Sequence, residues 1–262
     1  CYETARVTLI VNPLPIVDTD DNYILCVDTN GTEVLGPLEI ETGLSDLDYT
    51  FIWKNATGTT VETASRFSPT QGGVYTLEVF DATQPTKCAA PIKIFTVVES
   101  SPPEVTAVVT TEAFAKTHVI VATATGLGVY EYSLDQGPWQ DTGVFSNVNP
   151  GEHVVNVRDL KGCGIGQAIV FVIDFPKYFT PNGDGYHDTW NIIGVSDQSN
   201  AIIQIFDRYG KFLKEIRPSG YGWNGTYNGA LLPSSDYWFI LKYNDLVTEE
   251  PKLLKAHFSL KR

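Results

Sequence analysis

The chain alternates apolar and polar residues over short runs, and this pattern predicts β-strands. In the clearest run Tyr75, Leu77 and Val79 alternate with polar neighbours, which is the period of a sheet with one face in water. No window has the three-to-four-residue apolar period of an amphipathic helix. We therefore predict an all-β protein. The predicted strands cover residues 22–27, 49–54, 74–80, 92–97, 118–122, 129–134, 152–158, 169–173, 202–207, 211–216, 237–243 and 253–260.

A recurring order of cysteine, apolar strand and proline divides the chain. Cys1, Cys88 and Cys163 are each followed by such a strand and then, after 12, 14 and 13 residues respectively, by a proline. A proline cannot continue a strand ladder and stiffens an extended linker, so each proline marks a junction. Repeats of this length suit immunoglobulin-like (Ig-like) sandwiches better than short solenoid units.

These junctions predict four segments. Residues 1–12 form the last strand of a preceding repeat, 13–101 and 102–175 are tandem Ig-like β-sandwiches, and 176–262 form a C-terminal β-sandwich. The sequence starts without a methionine or a signal peptide, so we expect it to be the C-terminal part of a longer protein.

The first predicted sandwich has an Ig-like order of residues with one departure. Cys26, Trp53 and Tyr75 follow one another as in Ig sandwiches, where the tryptophan packs between the sheets. The second cysteine of that pattern would lie two residues after the tyrosine, but Leu77 occupies the position and the cysteine comes later, as Cys88.

The cysteines allow a disulfide prediction. Cys26 and Cys88 fall in one predicted domain, so we predict a bridge between them in an oxidising compartment. In the loop-entropy model, closing that 62-residue loop is worth about 4 kcal/mol. The partner of Cys1 would lie upstream, and Cys163 is expected to be unpaired. The alternative for all four is buried reduced thiols.

Charge and motifs exclude several functions. The net charge is −13, and the sequence has no basic stripe that could bind nucleic acid or an anionic membrane surface. No stretch approaches the roughly 18–20 apolar residues of a membrane span. The sequence contains no His-Glu-x-x-His or Gly-x-Ser-x-Gly motif, and its four histidines fall in different predicted strands and loops. We predict that the chain is not an enzyme.

The loop at residues 182–188 is the best candidate for chemistry. Asn182, Asp184 and Asp188, with the backbone carbonyl of Tyr186, could supply oxygens to Ca²⁺ around glycines that allow a sharp turn. The alternative is a glycine-rich turn in which the Asn and Asp side chains bond their own backbone. The sequence leaves both open, and calcium is the only cofactor it suggests.

Five motifs occur in order near the end of the chain: a Phe-Thr-Pro-Asn-Gly-Asp-Gly loop, Phe-Asp-Arg-Tyr-Gly, Gly-Trp-Asn-Gly, Pro-Ser-Ser-Asp-Tyr-Trp and a final Lys-Arg, within 179–188, 205–211, 222–225, 233–238 and 258–262. This combination resembles the gliding motility-associated C-terminal domain, the type B sorting signal of the Bacteroidetes type IX secretion system. The resemblance covers about a third of the chain. The alternating aromatic residues Trp223 and Trp238 are expected in the core of this segment.

The resemblance implies an exported cell-surface protein that does not itself span the membrane. Its C-terminal domain would be recognised by outer-membrane components of the secretion system, including a SprF-like β-barrel protein. We expect the secretion system to recognise an exposed final strand through Phe258, Leu260, Lys261 and Arg262, which could add to a partner's sheet. The alternative is that these residues only complete the edge of the sandwich.

Three functions remain open. The first is the C-terminal part of a gliding-type adhesin, with an Ig-like stalk and a secretion signal. The second is an accessory region of a secreted hydrolase whose catalytic domain lies upstream. The third, less favoured, is direct polysaccharide binding by the Ig-like pair through Trp139, where a structural tryptophan is the simpler interpretation.

Overall fold

A computed structural model describes residues 4–7, 11–84, 88–245 and 248–262. Cys1 and the centre of the strand predicted after it lie outside these residues. The described part contains strands and no helix, which confirms the all-β fold class. The strands are β1 (Asn22–Cys26), β2 (Ile40–Glu41), β3 (Tyr49–Asn55), β4 (Thr60–Glu62), β5 (Arg66–Phe67), β6 (Gly73–Asp81), β7 (Lys93–Ser100), β8 (Glu104–Val109), β9 (His118–Thr125), β10 (Tyr130–Leu134), β11 (Val144–Val148), β12 (Gly151–Asp159), β13 (Ile165–Val172), β14 (Tyr178–Phe179), β15 (Ile202–Phe206), β16 (Phe212–Ile216), β17 (Thr226–Tyr227), β18 (Ala230–Leu231), β19 (Ser235–Asn244) and β20 (Pro251–Leu260).

The chain divides into two compact units. The first comprises 1–104, 124–131 and 157–166, and the second comprises 105–123, 132–156 and 167–262. The finer division predicted from the prolines stays a prediction.

A five-stranded sheet of order β1-β7-β6-β3-β4 dominates the first unit, together with the two-stranded sheet β2-β5. β1 runs parallel to β7, and the other described pairings are antiparallel. The predicted core tryptophan is confirmed, because Trp53 is fully buried and its indole packs on Phe67 and Phe95 at centroid distances of 5.3 and 5.8 Å. Its Nε1 donates a hydrogen bond to the carbonyl of Ala64 at 2.8 Å, which satisfies the one polar atom of the ring.

The disulfide prediction is wrong. Cys26 is bonded to Cys163, with 5.3 Å between the two Cα atoms, and both residues belong to the first unit. Cys88 is half-buried and takes no part in this bridge. Cys163, predicted to be unpaired, is therefore the partner that Cys26 uses.

Strand register explains the error. Because β1 and β7 are parallel, Cys26 pairs with Ser100 at the far end of β7. Lys93, at the start of β7, already lies roughly 23 Å from Ser100 at about 3.3 Å per residue, and Cys88 precedes Lys93. A disulfide needs Cα atoms less than about 7 Å apart.

Asp159 places Cys163 beside that end of β7. Its Oδ2 accepts hydrogen bonds from the Ser100 hydroxyl at 2.9 Å and from the Cys163 amide at 3.1 Å. Asp159 and Ser100 are both buried. The turn after β12 is therefore fixed where Cys26 ends β1.

Residues 104–172 form two three-stranded sheets, of orders β11-β9-β8 and β10-β12-β13. The C-terminal region forms a five-stranded sheet of order β14-β20-β19-β15-β16 and the small hairpin β17-β18. The core under the five-stranded sheet is rich in aromatic rings, among them Phe179, Trp190, Trp223, Phe239 and Phe258.

Two tight turns have the residues that their backbone geometry requires. Asn228 and Gly229 both have positive φ, +48° and +80°, and connect β17 to β18 as a two-residue hairpin loop requires. Gly210, with φ of +82°, closes the turn between β15 and β16.

Candidate functional site

The C-terminal strand β20 is paired along its whole length on one side and only at its end on the other. It pairs antiparallel with β19 through ten successive residue pairs, from Ser235 opposite Leu260 to Asn244 opposite Pro251. On its other side the two residues of β14 run parallel to its final residues. The Ser259 amide donates to the Lys177 carbonyl at 2.9 Å.

Phe258 and Leu260 are core residues, each 1 % exposed. The Phe258 ring stacks on the indole of Trp190 with centroids 3.7 Å apart and planes 10° apart. The expectation of an exposed final strand is therefore wrong for both side chains. It failed because Phe258 and Leu260 alternate with polar residues and therefore lie on the face of β20 that packs on the core.

The final two residues are exposed but held in place. Lys261 donates its amide to the Phe179 carbonyl at 3.0 Å, and its Nζ lies 4.2 Å from the centroid of the Tyr178 ring. Arg262 donates its backbone amide to the Ser234 hydroxyl at 2.9 Å. Its guanidinium donates to the carbonyls of Leu232 and Gly225, each at 3.1 Å.

The Gly-Trp-Asn-Gly motif allows this close approach. Gly225 has φ of +76°, and a Cβ there would lie 2.3 Å from Cδ1 of Leu260. Gly222 has φ of +87°, and a Cβ there would lie 2.7 Å from the Trp190 carbonyl oxygen. Both glycines are needed because the backbone passes directly over the core and the chain end. Trp223 between them is 2 % exposed, as predicted.

The outer edge of β20 is open upstream of β14. Successive residues of a strand direct their backbone N–H and C=O groups to opposite sides. Since the Ser259 and Lys261 amides point toward β14, those of Leu253, Lys255 and His257 point to the same side. No strand of the described ranges pairs with this stretch, so it presents free ladder positions.

The acidic loop is held by its own side chains. Asp188 accepts hydrogen bonds from the amides of Gly183 at 2.6 Å and Gly185 at 2.8 Å. Asp184 accepts from the Tyr186 amide and from the Asn182 side chain, both at 2.8 Å. The pKa of Asp184 lies below its ordinary value, chiefly because the Tyr186 amide bonds the charged carboxylate.

The carboxylate oxygens that calcium would need already accept these hydrogen bonds. Calcium binding is not decided by this geometry and stays a prediction. Within the described ranges, no three His, Cys, Asp or Glu side chains converge as a metal site. The four predicted ligands do lie together, in the arrangement expected for a self-bonded turn.

The Pro-Ser-Ser-Asp-Tyr-Trp motif forms the start of β19. Tyr237 is buried and donates its hydroxyl to the Pro233 carbonyl at 2.8 Å. Burial raises the pKa of Tyr237 above its usual range. The neighbouring Trp238 points the other way and is 42 % exposed, so the prediction that it is a core residue is wrong.

Comparison with known protein families assigns this region. Residues 173–254 match the family model of the CHU_C type IX secretion signal domain, which confirms the resemblance stated from the motifs. The match covers under a third of the chain. No curated protein matches the sequence.

Similar solved structures are immunoglobulin-domain proteins. Sidekick-1 immunoglobulin domains 1–5 align with 94 % of this chain at 14 % identity and a TM-score of 0.38, and the chain spans only 58 % of that structure. The full ectodomain of mouse nectin-like molecule 4 aligns with 92 % of this chain and 97 % of its own at 10 % identity and a TM-score of 0.34. The amphioxus IgVJ-C2 molecule aligns with 52 % of this chain and 94 % of its own at 14 % identity and a TM-score of 0.32. Scores this low add nothing to the fold that the strand pairings define.

None of the described residues belongs to a helix long and apolar enough to cross a membrane.

Proposed function

We propose that this chain is the C-terminal part of a secreted cell-surface adhesin of the gliding motility type. The β-sandwich region upstream serves as a stalk. Residues 176–262 serve as the sorting signal by which the type IX secretion system exports and displays the protein. The observation that carries this proposal is the family match at 173–254. The chain performs no catalysis in this role.

The partners in this proposal are outer-membrane components of the secretion system, including a SprF-like β-barrel protein. Phe258 and Leu260 contribute by completing the folded domain, because both are buried in its core. Lys261 and Arg262 contribute as exposed cationic residues held at a fixed position by hydrogen bonds to the backbone.

The open edge of β20 is the surface that a partner strand would use. A strand added there gains main-chain hydrogen bonds from Leu253, Lys255 and His257 without breaking the pairing with β19. The same edge carries two cationic or titratable side chains, Lys255 and His257, which discourage pairing between copies of the domain.

A proline substitution separates recognition from folding. Leu253→Pro removes an outward-facing N–H and leaves the β19 ladder intact, and Leu253→Ala keeps the N–H while removing the same side chain. In a host with a type IX system, we expect surface display, measured by antibody labelling of intact cells, to fall with Leu253→Pro and to persist with Leu253→Ala.

Thermal unfolding of both purified variants checks that each remains folded. Undiminished display of the proline variant would overturn edge recognition. Undiminished display after deletion of residues 255–262 would overturn the secretion-signal role as a whole.

Calcium at Asn182, Asp184, Tyr186 and Asp188 is proposed separately. Isothermal titration of the full chain with millimolar Ca²⁺ should release or absorb heat if the ion replaces the amide hydrogen bonds on the two carboxylates. Absence of heat would leave the loop as a structural turn.

A further inference from the structure

Four aromatic side chains lie in register across the outward face of the C-terminal sheet. Phe212 pairs with Phe206, Phe206 pairs with Trp238, and Trp238 pairs with His257, so the row crosses β16, β15, β19 and β20. The Phe206 and Phe212 ring centroids are 5.8 Å apart, and those of Trp238 and His257 are 5.7 Å apart. We call these four residues the aromatic row.

The aromatic row faces water. Trp238 is 42 % and Phe212 is 48 % exposed, while their strand neighbours Phe239 and Leu213 are buried on the opposite face. The core under this sheet is therefore complete without the row. Aligned exposed rings that contribute little to the core are a feature of binding surfaces.

A cleft borders the aromatic row. It has a volume of about 350 Å³, and its lining includes Phe206, Trp238, Arg208 and Lys255. The one carboxylate in the lining, Asp207, already accepts hydrogen bonds from the amides of its own turn. With Arg208 and Lys255 against this single carboxylate, the formal charge of the lining is +1.

Charge in this region differs from that of the whole chain. Residues 176–262 contain ten Lys or Arg and nine Asp or Glu, although the full chain carries a net charge of −13. The cations beside the aromatic row thus belong to the one predicted sandwich that is not acidic. An anionic ligand is favoured here and disfavoured by the rest of the protein.

The apolar strip is narrow. The neighbouring row on the same face of the sheet consists of Glu215, Gln204, Ile240 and Lys255. Ile240 is the one apolar residue of that row. A stable protein interface buries about 800 Å² on each partner, much more than a strip one side chain wide. A linear chain of rings fits this shape better than a protein patch does.

We propose that the aromatic row binds an acidic polysaccharide. The apolar C–H faces of successive sugar rings stack on the aromatic rings, one ring occupies the cleft, and its carboxylate pairs with Arg208 or Lys255. The ligand class is a uronate-containing glycan. This site shares Lys255 and His257 with the open edge of β20, but it uses their side chains and the edge uses their backbone. It does not depend on the secretion role.

The test is binding of the full chain to polygalacturonate, measured by affinity electrophoresis and isothermal titration. Its methyl-esterified form is the matched neutral ligand. We expect the acidic polymer to bind more tightly than the neutral one, and added salt to reduce that difference. Trp238→Ala should weaken binding about tenfold or more, the scale of a lost stacking contact, and Trp238→Phe should restore most of it.

Lys255→Gln should remove most of the preference for the acidic polymer, while leaving weak binding to both. Tyr221→Ala is the matched control, because Tyr221 is 99 % exposed in the same domain but lies outside the row. Circular dichroism checks that each variant is folded.

Failure of the unaltered chain to bind either polymer would overturn the proposal. So would equal losses from Trp238→Ala and Tyr221→Ala. If polymer binding is absent but Trp238→Ala abolishes surface display, the row contacts a protein of the export apparatus and the glycan assignment is wrong.

Discussion

Replacing Phe258 with alanine should strongly destabilise the C-terminal sandwich. The ring is 1 % exposed and stacks on Trp190 at 3.7 Å, and it also contacts Phe179, Trp223 and Phe239 at centroid distances of 5.9 to 6.2 Å. The substitution removes the ring at the centre of this aromatic cluster. Neighbouring side chains on strands fixed by ten ladder pairs cannot move far enough to fill the space.

The expected loss follows from burial and cavity formation. Phe→Ala substitutions in packed cores cost about 3–5 kcal/mol in the free energy of unfolding. Because single domains are stable by about 5–15 kcal/mol, this is a large fraction of the total. With a urea dependence of about 2 kcal/mol per molar, the unfolding midpoint should fall by roughly 2 M.

Urea unfolding of the full chain, followed by tryptophan fluorescence and far-ultraviolet circular dichroism, measures this shift. Leu253→Ala on the same strand is the control, because its side chain is 51 % exposed and should change stability by less than about 0.5 kcal/mol. A loss below about 1 kcal/mol for Phe258→Ala would refute the assignment of β20 to the core.

Three further predictions concern other parts of the molecule. The Cys26–Cys163 disulfide closes a loop of 137 residues, so its reduction should lower the free energy of unfolding by up to about 5 kcal/mol in the loop-entropy model. Non-reducing peptide mapping checks the pairing, and urea unfolding with and without reductant measures the loss. Gly225→Ala should destabilise the domain more than Gly229→Ala, since both have positive φ but only the first Cβ would collide with the core; thermal unfolding compares them. Because the pKa of Asp184 is lowered in the folded protein, its ionised carboxylate stabilises the fold at pH values above the pKa of the unfolded chain. This stabilisation is lost as the pH falls through the folded-state pKa, which an NMR titration of the Asp184 carboxyl group measures.

The controls for these predictions are specific. Peptide mapping that links Cys26 to Cys88 would contradict the strand register of β1 on β7. Equal losses from the two glycine variants would contradict the close approach of the Gly225 loop to Leu260. A carboxyl titration of Asp184 at its ordinary value would contradict the hydrogen bond from the Tyr186 amide.

Local chemistry allowed much of the C-terminal region to be predicted. Positive φ favours Asn and Gly, so the turn at Asn228 and Gly229 could be identified from the dipeptide alone. Orientation within β19 could not be predicted in this way. Tyr237, Trp238 and Phe239 are consecutive and all apolar, so no alternation marked the middle ring as the exposed one.

Long-range pairing was beyond the sequence. The partner of Cys26 depends on β1 running parallel to β7, and a parallel pairing across this many residues leaves no local pattern. The pairing that covers the last residues of β20 depends in the same way on β14, which is only two residues long.

The disulfide also determines how the protein bears mechanical load. A pulling force applied to the chain on either side of the bridge passes directly through the two sulfur atoms. The residues between Cys26 and Cys163 are then excluded from extension, which removes a length on the order of 450 Å at about 3.3–3.6 Å per residue. An oxidised molecule tethered at both ends therefore remains short under tension, and a reduced molecule can lengthen by that amount.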